Sequence, residues 1–562
     1  MTTADAAIDV RAALAPPPAT PRSAEPWPGH RPIVWAPRAR TVDVVLPRPD
    51  GGADLHPMRL VGAHEPGYWR ADEALPTGTD YCYSVDGGSP VPDPCSPSLP
   101  AGVHGPSRVV DHSFAWTDAR WRGRELDRTA LLHLDVATAT PEGTLDAATR
   151  LLDDVAALGV DGVELAPVAA FDPTQGPASG VRLFAVHEPY GGPHALQRFV
   201  DAAHARDLAV VLDVPHRWAV ADGLGLHTFG PYASGSRLGP RAGAPAAVRD
   251  SPRINLDGSG CRGPRDFLVA DAARWFRDFH LDGLLLDVEA LLDRSPVPLL
   301  GELAEHVRNL EEQLGRRLDL LTDGPGRSDR LVRAVHGLLS EPGRDHVQAL
   351  RLLSRETFAT DGTESTAARL PPSARRARRA TRRASSLVVG DLTRLPGATR
   401  AAPWSPADDT PSAPEPSATG HDDERACLLA FAVLAGTTTV LDAEHAPVGH
   451  DDGPARRLVE WTRRLLALRP TVVAQTGQPL ELHVDHHAGS RAGSPALLAR
   501  RGDTALAVGL GDAPARIDLA LLPGHPHQWQ PVASWDPDRT RTAAARLVVP
   551  DRVPVVLRRQ DG

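Results

Sequence analysis

A regular alternation of strand-like and helix-like segments is the feature that most constrains the fold of this chain. From about Leu131, runs such as ALLHLDV, VDGVELAPV, LAVVLDV and DGLLLDV have the composition of buried strands. Amphipathic helical patterns separate them, at a spacing of roughly 30 residues that is typical of parallel βα units. About seven or eight such units predict an α/β fold, a (β/α)8 TIM barrel over residues 125–468. A doubly wound sheet is the alternative.

The alternating region is flanked by segments of a different kind. Strand-like runs split by glycine and proline predict an N-terminal β-sandwich of carbohydrate-binding type over residues 29–115, and a C-terminal β-sandwich over residues 471–562. Residues 1–28 and the insertion 400–423 are rich in small residues and proline, and we expect both to be disordered. The basic run Ala374 to Arg383 fits the solvated face of a helix, with contact to a polyanion as the other interpretation.

Composition excludes several kinds of partner. A formal net charge of −10 argues against nucleic acid or an anionic membrane as the main partner. The cysteines Cys82, Cys95, Cys261 and Cys427 are scattered, and none is paired at metal-ligand spacing, so we expect reduced thiols. No stretch is apolar and long enough to span a bilayer, and the first residues lack the apolar core of a signal peptide. A soluble, cytoplasmic protein is therefore expected.

Four aspartates end four of the predicted barrel strands. Asp213 ends VVLD, Asp287 ends LLLD, Asp323 ends DLLTD and Asp391 ends LVVGD. Side chains at these strand ends face the mouth of a parallel barrel, where active sites lie. A single aspartate at a strand end is more often a helix cap, but four together favour a site that depends on acids. A pair of carboxylates suits a retaining glycosidase, and a Mg²⁺ or Ca²⁺ site is the competing interpretation.

Several longer stretches resemble a known family. They are PDPCSPSLPAGVHGPSRVVD (Pro92 to Asp111), TPEGTLDAATRLLDDVAALGVDGVELAPVAAF (Thr140 to Phe171), EPYGGPHALQRFVDAAHARDLAVVLDV (Glu188 to Val214), and ADAARWFRDFHLDGLLLD, which ends at Asp287. In these stretches the chain is similar to the α-amylase clan (glycoside hydrolase family 13) and, within it, to the malto-oligosyltrehalose trehalohydrolases. The resemblance is specific up to about Asp287 and weakens beyond Pro325.

The resemblance implies a fold, a reaction and roles for the acids. The fold is a barrel flanked by two β-sandwiches, and the reaction cleaves the α-1,4 bond next to a terminal trehalose and releases trehalose. Asp287 matches the nucleophile, Asp323 the general acid and base, and Asp391 the third acid, which steadies the distorted sugar. Asp213 matches the acid of the first barrel motif, and we expect it to contact substrate. The reaction needs no cofactor, and the implied partner is an α-glucan or malto-oligosyltrehalose.

The chain departs from the family pattern beside the nucleophile. The family motif G-L-R-L-D has an arginine two residues before the nucleophile, and this chain has Leu285 there. Alternate residues of a strand share a face, so that arginine would lie beside Asp287. The sequence therefore predicts that Asp287 has no cationic partner on its own strand, and it leaves open whether an arginine from elsewhere takes that place. A buried carboxyl group without one keeps its proton more readily, and a protonated acid is a poor nucleophile.

Further departures affect the proton donor and the sugar contacts. Asp323 replaces a glutamate, which withdraws the proton by about 1 Å. Arg217 and Trp218 replace the Asn and His of the family's D-V-V-Y-N-H, whereas Gly390 replaces a histidine before the third acid and Ala178 replaces a stacking aromatic. His216, one position out of register, is a candidate substitute for the lost histidine.

These departures predict weak or absent turnover on a retained fold. Two alternatives stay open. One is a non-catalytic paralogue that binds α-glucan, and the other is a branching-type activity of the same clan. The sequence predicts neither the preferred chain length of the glucan nor an oligomeric state.

Overall fold

The computed structural model describes most of the N-terminal three-fifths of the chain and separate segments after it. The described residues are 30–61, 67–126, 129–237, 252–291, 293–322, 387–388, 390–391, 423, 426–427, 429–430, 433–434, 439–441, 453–475, 481–485, 496–509, 513–543, 545–550 and 552–560. The predicted disordered tail 1–28 and the basic run Ala374 to Arg383 lie outside these residues. So does the predicted insertion 400–423, apart from Asp423.

The N-terminal part forms two small antiparallel sheets. Their strands are β1 (Ile33–Trp35), β2 (Val42–Pro47), β3 (Ala53–Pro57), β4 (Arg59–Leu60), β5 (Tyr68–Arg70), β6 (Asp80–Val85) and β7 (Ser107–Arg108). One sheet has the order β1-β5-β4 and the other the order β3-β2-β6-β7. The short antiparallel strands expected here are therefore present, while the assignment of 29–115 as a sandwich domain stays a prediction.

The central part is built on one parallel sheet with two side hairpins. Its strands are β8 (Ala130–Leu134), β9 (Gly162–Leu165), β10 (Ala169–Phe171), β11 (Val181–Val186), β12 (Ala209–Val214), β13 (Ala233–Arg237), β14 (Pro252–Ile254), β15 (Gly283–Leu286), β16 (Asp319–Thr322), β17 (Leu387–Val388), β18 (Gly390–Asp391) and β19 (Thr439–Leu441). The eight-stranded sheet has the order β17-β16-β15-β12-β9-β8-β19-β18. Every pair in it is parallel.

The two ends of this sheet belong to one stretch of chain. Leu387 pairs with β16 on one side, and Gly390, three residues on, pairs with β19 on the other. The sheet therefore closes on itself, as a barrel does and an open doubly wound sheet does not. The parallel barrel expected from the alternation is present, and the doubly wound alternative is wrong.

Helices cover the outside of the barrel and follow its strands. They are α1 (Val136–Ala139), α2 (Leu145–Thr149), α3 (Leu152–Leu158), α4 (Gly192–His204), α5 (Arg262–Asp278), α6 (Val288–Leu291), α7 (Leu299–Leu314) and α8 (Gly453–Ala474). In α7 the buried positions Leu299, Leu303, Val307 and Leu310 recur at helical spacing. Gly315 ends that helix in the left-handed conformation, with φ of +64°. Within the described residues, no helix is long and apolar enough to cross a membrane.

The two faces of the barrel strands pack into separate apolar clusters. Even-numbered side chains of β12 and β15, such as Leu212 and Leu284, join the large cluster that contains the helices. The odd-numbered face supplies the smaller cluster of Leu126, Leu131, Ala209, Val211, Leu285 and Leu321. Because the helices lie outside the barrel, this second cluster fills its interior. All four residues of β15 are buried, as expected for a parallel strand covered on both faces.

The C-terminal part again forms two antiparallel sheets. Their strands are β20 (Glu481–Asp485), β21 (Ala496–Arg501), β22 (Thr504–Gly509), β23 (Ala515–Asp518), β24 (Trp529–Ser534), β25 (Arg541–Ala543), β26 (Arg546–Val549) and β27 (Pro554–Arg559). The sheets have the orders β20-β21-β22-β27-β24 and β23-β26-β25. Side chains of both join the large apolar cluster of the barrel. The boundary of a C-terminal sandwich at residue 471 stays a prediction.

The N-terminal sheets are attached to the barrel through Trp35. Its indole, at the end of β1, is buried and packs edge-on to Tyr232, with ring centroids 5.5 Å apart. It lies directly over Gly263 near the start of α5. A Cβ atom added at Gly263 would lie 2.2 Å from Cδ2 of the Trp35 ring. A glycine is therefore required there for the indole to approach the helix backbone.

We expect Gly263→Ala to lower the melting temperature, although alanine is the better helix former. Overpacking of this kind costs about 1–3 kcal/mol, against about 1 kcal/mol gained in helix propensity. Thermal unfolding of the purified variant measures the difference. Gly235→Ala is the matched control, because a Cβ atom there would meet nothing within 4 Å. If Gly263→Ala were more stable than the unaltered chain, the close packing of Trp35 would be wrong.

A buried cluster of charged groups holds the base of the barrel together. His204, at the end of α4, contacts Asp118 through Nδ1 at 2.9 Å and Asp282 through Nε2 at 3.0 Å. Burial alone would lower the pKa of His204, but the hydrogen bonds to these two carboxylates raise it. The indole N–H of Trp121 donates to the other oxygen of Asp282 at 2.7 Å. The segment that enters the barrel is thus bound to two of its later elements.

Candidate active site

The structure places two of the predicted acids at neighbouring strand ends. Asp213 lies in β12, where its Cα is paired with that of Leu285 in β15, and Asp287 directly follows β15. Asp391 ends β18, which pairs with β19 in the same sheet. Asp323 directly follows β16 and lies outside the described residues. Asp213 and Asp287 therefore share the carboxyl edge of the barrel, where parallel barrels place their active sites. The roles of all four acids stay predictions.

Asp287 has a cationic partner that comes from another strand. Arg217 lies in the one-turn 3-10 helix His216–Trp218, which follows β12. Its Nε donates to Oδ2 of Asp287 at 3.2 Å, and its side chain is only 4% exposed. Asp287 is also partly buried, with 14% of its side chain exposed. A charge-assisted hydrogen bond with little access to water is stronger than one at the surface.

An arginine from elsewhere therefore supplies the opposite charge that position 285 lacks, which is the alternative that the sequence left open. The position two residues before it is indeed apolar, because Leu285 packs in the interior cluster with Val211 and Leu321. The sequence alone does not show which distant arginine lies beside Asp287. The guanidinium instead comes from Arg217, on the loop after the adjacent strand, where the family pattern has asparagine. Neighbouring parallel strands bring their following loops together, so residues 70 positions apart in sequence meet.

His216 is buried beside this ion pair. Its side chain lies in the same 3-10 turn, and burial lowers its pKa to about 4, although the charge of Asp287 acts in the opposite direction. The imidazole is therefore neutral near pH 7. Its Nδ1 has no hydrogen-bond partner among the described residues, and the indole N–H of Trp218 has none there either. Buried polar groups are usually paired, so these two nitrogens are exceptions among the described residues.

A second buried pair inside the barrel was missed by the sequence argument. His133 of β8 and Glu164 of β9 are opposite each other in register, and Nδ1 of the histidine lies 2.5 Å from Oε2 of the glutamate. Glu164 is also in register with Val211, whose side chain belongs to the interior cluster. The pair therefore lies within the barrel. The available signal was an isolated polar residue inside each of two otherwise apolar strands, ALLHL and GVEL.

Aromatic side chains lie in the connection between β9 and α4. The ring of Phe171 stacks on His187 with centroids 4.2 Å apart, and Tyr190 meets the same histidine edge-on at 4.8 Å. Burial lowers the pKa of His187 to about 4, so this imidazole is neutral near pH 7. Phe171 and Tyr190 are both partly exposed. This connection follows the carboxyl end of a barrel strand, so it borders the same face as Asp287.

The described residues contain no group of three or more His, Cys, Asp or Glu side chains arranged to hold a metal ion. The side-chain contacts found at this edge are of another kind. They include the pair of Arg217 and Asp287, with the neutral imidazole of His216 beside it. Such an arrangement can hold a carboxylate in a fixed orientation.

Malto-oligosyltrehalose trehalohydrolases are among the proteins that this chain resembles in sequence. It is 44% identical over 312 residues to the malto-oligosyltrehalose trehalohydrolase of Arthrobacter ramosus, covering 54% of this chain and 52% of that protein. It is 41% identical over 314 residues to the malto-oligosyltrehalose trehalohydrolase of Rhizobium sp. strain M-11, covering 54% and 50%. The chain thus spans about half the length of the curated relatives it matches. No protein-family model matches the chain.

Solved structures resemble the fold over nearly the whole chain. A Salmonella typhimurium protein assigned as an α-amylase superposes with a TM-score of 0.67 at 21% identity, covering 94% of this chain and 97% of that one. The type I pullulanase of Bacillus subtilis, in complex with maltose, superposes with a TM-score of 0.65 at 14% identity, covering 96% and 86%. At these identities the likeness concerns the fold alone. The chain therefore has the barrel fold seen in solved α-amylase and pullulanase structures, and over about half of its length it is similar in sequence to malto-oligosyltrehalose trehalohydrolases.

Proposed function

We propose that this chain acts on α-glucans and cleaves the α-1,4 bond next to the terminal trehalose of malto-oligosyltrehalose. The observation that carries the proposal is the ion pair between Asp287 and Arg217 at the carboxyl edge of the barrel. The Nε–H of Arg217 holds one oxygen of this carboxylate through a charge-assisted hydrogen bond, and a carboxylate held at the mouth of the barrel can act as a nucleophile. Similarity to trehalohydrolases over half the chain supports the choice of substrate.

In the proposed reaction Asp287 attacks the anomeric carbon of the glucose unit next to trehalose. Asp323 protonates the glycosidic oxygen, the C–O bond breaks, and trehalose leaves. Water, deprotonated by Asp323, then attacks the covalent intermediate, so the malto-oligosaccharide is released with its configuration retained. Asp391 steadies the distorted sugar, and Asp213 and His216 bind sugar hydroxyls. A neutral imidazole has one ring nitrogen that donates and one that accepts, so it can bond a hydroxyl group in either direction.

We further propose that turnover is slow. Asp323 is one methylene shorter than the family's glutamate, and a misplacement of about 1 Å at the reacting centre can cost on the order of a hundredfold in rate. Trp218 and Gly390 replace histidines that the resemblance assigns to sugar hydroxyls. Each such loss removes stabilisation from the transition state, although the separate losses do not add strictly.

Lengthening the proton donor is expected to increase the rate. Asp323→Glu restores the reach of the acid, and we expect kcat for trehalose release to rise by roughly tenfold to a hundredfold. Initial rates with malto-oligosyltrehalose measure the change. Asp154→Glu adds the same methylene to an exposed residue of α3 and serves as the control. A fall in kcat for Asp323→Glu, with the control unchanged, would show that Asp323 does not donate the proton.

A non-catalytic glucan-binding protein is the second candidate, favoured by the loss of both histidines. Incubation of the purified protein with malto-oligosyltrehalose, followed by assay of free trehalose and by NMR of the new reducing end, separates the candidates. The proposal requires trehalose and an initial α-anomer. Saturable glucan binding with no trehalose above background would contradict it and favour the binding protein. Transfer of glucan chains to form new α-1,6 bonds would instead indicate a branching activity.

A further inference from the structure

We propose that Arg217 is a positioning residue for Asp287, and that it performs from the loop after β12 the function that an arginine at position 285 would perform from within β15. This inference deepens the proposed function, since it concerns the acid assigned as nucleophile. The interaction itself can be tested without any turnover.

The geometry fixes one oxygen of the carboxylate. Nε of Arg217 donates to Oδ2 of Asp287 at 3.2 Å. The other oxygen, Oδ1, accepts a long bond of 3.4 Å from the backbone N–H of Ala290 in α6. The guanidinium therefore sets the rotation of the carboxylate about its last bond. Oδ1 is the more weakly bonded of the two oxygens and is the one we assign to the attack.

Burial makes this contact more than a surface ion pair. Only 4% of the Arg217 side chain is exposed. A partly buried carboxylate has lost part of its hydration, and the guanidinium beside it compensates for that loss. If the guanidinium is removed, the negative charge of Asp287 stays partly buried without a partner. The short 3-10 turn that carries Arg217 follows β12 directly, and β12 and β15 are paired from Val211–Gly283 to Val214–Leu286. The backbone therefore presents residues 217 and 287 to each other.

The interior cluster explains why position 285 is apolar. Leu285 is 7% exposed and packs against Val211 and Leu321. A second guanidinium there would be buried among apolar side chains, and it would bring a second cation close to Asp287. Positions 217 and 285 are therefore two locations from which a cation can reach Asp287. One of them carries arginine, and the other supplies apolar packing to the barrel interior.

A double-mutant cycle on stability tests the pairing. Arg217→Met and Asp287→Asn are each expected to lower the melting temperature by roughly 5 °C or more, because each leaves one buried charge unpaired. We expect the melting temperature of the double variant to be no lower than that of the less stable single variant, because the two paired charges are removed together. Strictly additive shifts would overturn the proposal. If Arg217→Met does not fold, Arg217→Lys replaces it in the cycle, since lysine keeps the charge but cannot reproduce the Nε–H contact.

Moving the arginine tests its function. In Arg217→Met/Leu285→Arg the cation returns to the strand, and we expect at least a tenfold higher kcat than in Arg217→Met, with KM changed less than kcat. The matched control is Arg217→Met/Leu285→Met, which changes the same positions without a charge and should show no recovery. Leu285→Arg alone should be less stable than the unaltered chain. Equal rates in relocation and control variants would overturn the positioning role.

The two proposals can fail separately. If the unaltered chain releases no trehalose, the proposed function is wrong, and the stability cycle still decides whether Arg217 and Asp287 are coupled. If trehalose is released but the cycle is additive, the function stands and the role of Arg217 is wrong.

Discussion

Replacing Asp287 by asparagine is expected to reduce trehalose release by roughly a thousandfold or more, with little effect on glucan binding. The amide has nearly the shape of the carboxylate but cannot form the covalent bond to the anomeric carbon. Losing the nucleophile removes the covalent route altogether, so the residual rate comes only from the remaining groups. Initial rates and the Kd for a malto-oligosaccharide, measured on the same preparation, separate the loss of chemistry from the loss of binding.

Two further variants make this result specific. Asp257→Asn neutralises a carboxyl group that pairs with the exposed Arg294 and has no assigned role, and its rate should be unchanged. Asp287→Ala leaves space at the reacting centre, so added azide should restore turnover and yield a β-glycosyl azide, since azide then attacks from the face that Asp287 occupied. An Asp287→Asn variant that retains the normal rate would exclude this residue as the nucleophile.

The largest loss of stability is expected for Asp282→Ala. The carboxylate of Asp282 is fully buried, accepts from the indole of Trp121 and from the backbone N–H of Val210, and contacts His204. Its removal takes away one of the two carboxylates that raise the pKa of His204. It also leaves the N–H groups of Trp121 and Val210 without their acceptor. Breaking a buried charged pair costs about 3–5 kcal/mol, so the melting temperature should fall by roughly 10 °C.

Thermal unfolding followed by circular dichroism measures this loss. Asp153→Ala is the matched control, because Asp153 is paired with Arg206 but is 79% exposed at the surface of α3. Exposed ion pairs contribute little to the free energy of unfolding, so this variant should have the same melting temperature as the unaltered chain. If Asp282→Ala and Asp153→Ala had the same melting temperature, the buried cluster would not contribute to stability.

Much of the fold could be predicted from local patterns. The alternation of apolar strands and amphipathic helices is a property of consecutive residues, and it correctly predicted a parallel barrel between antiparallel segments. The position of Asp287 at the end of β15 could also be predicted, because an acid that interrupts an apolar strand marks its end. These inferences succeed because burial of strands and helices repeats with a short period along the chain.

The partner of Asp287 could not be predicted in the same way. The family pattern shows only that Leu285 carries no charge and leaves open a cation from elsewhere, whereas Arg217 approaches through space from the loop after the adjacent strand β12. The pair of His133 and Glu164 was missed for the same reason. Each residue alone looks like an isolated polar residue in an apolar strand, and only the register of β8 and β9 brings them together. Contacts between strands depend on register, which local patterns do not determine.

The cluster at the base of the barrel has a consequence for the order of folding. Asp118 and Trp121 lie in the segment that enters the barrel, yet their partners His280 and Asp282 come 162 and 161 residues later. During synthesis this segment cannot form these contacts until the chain has been made beyond Asp282. Contacts of such high sequence separation slow folding, since the entropy of a long loop is lost before the contact forms. We therefore expect the first half of the barrel to stay incompletely closed until His280 and Asp282 have emerged from the ribosome.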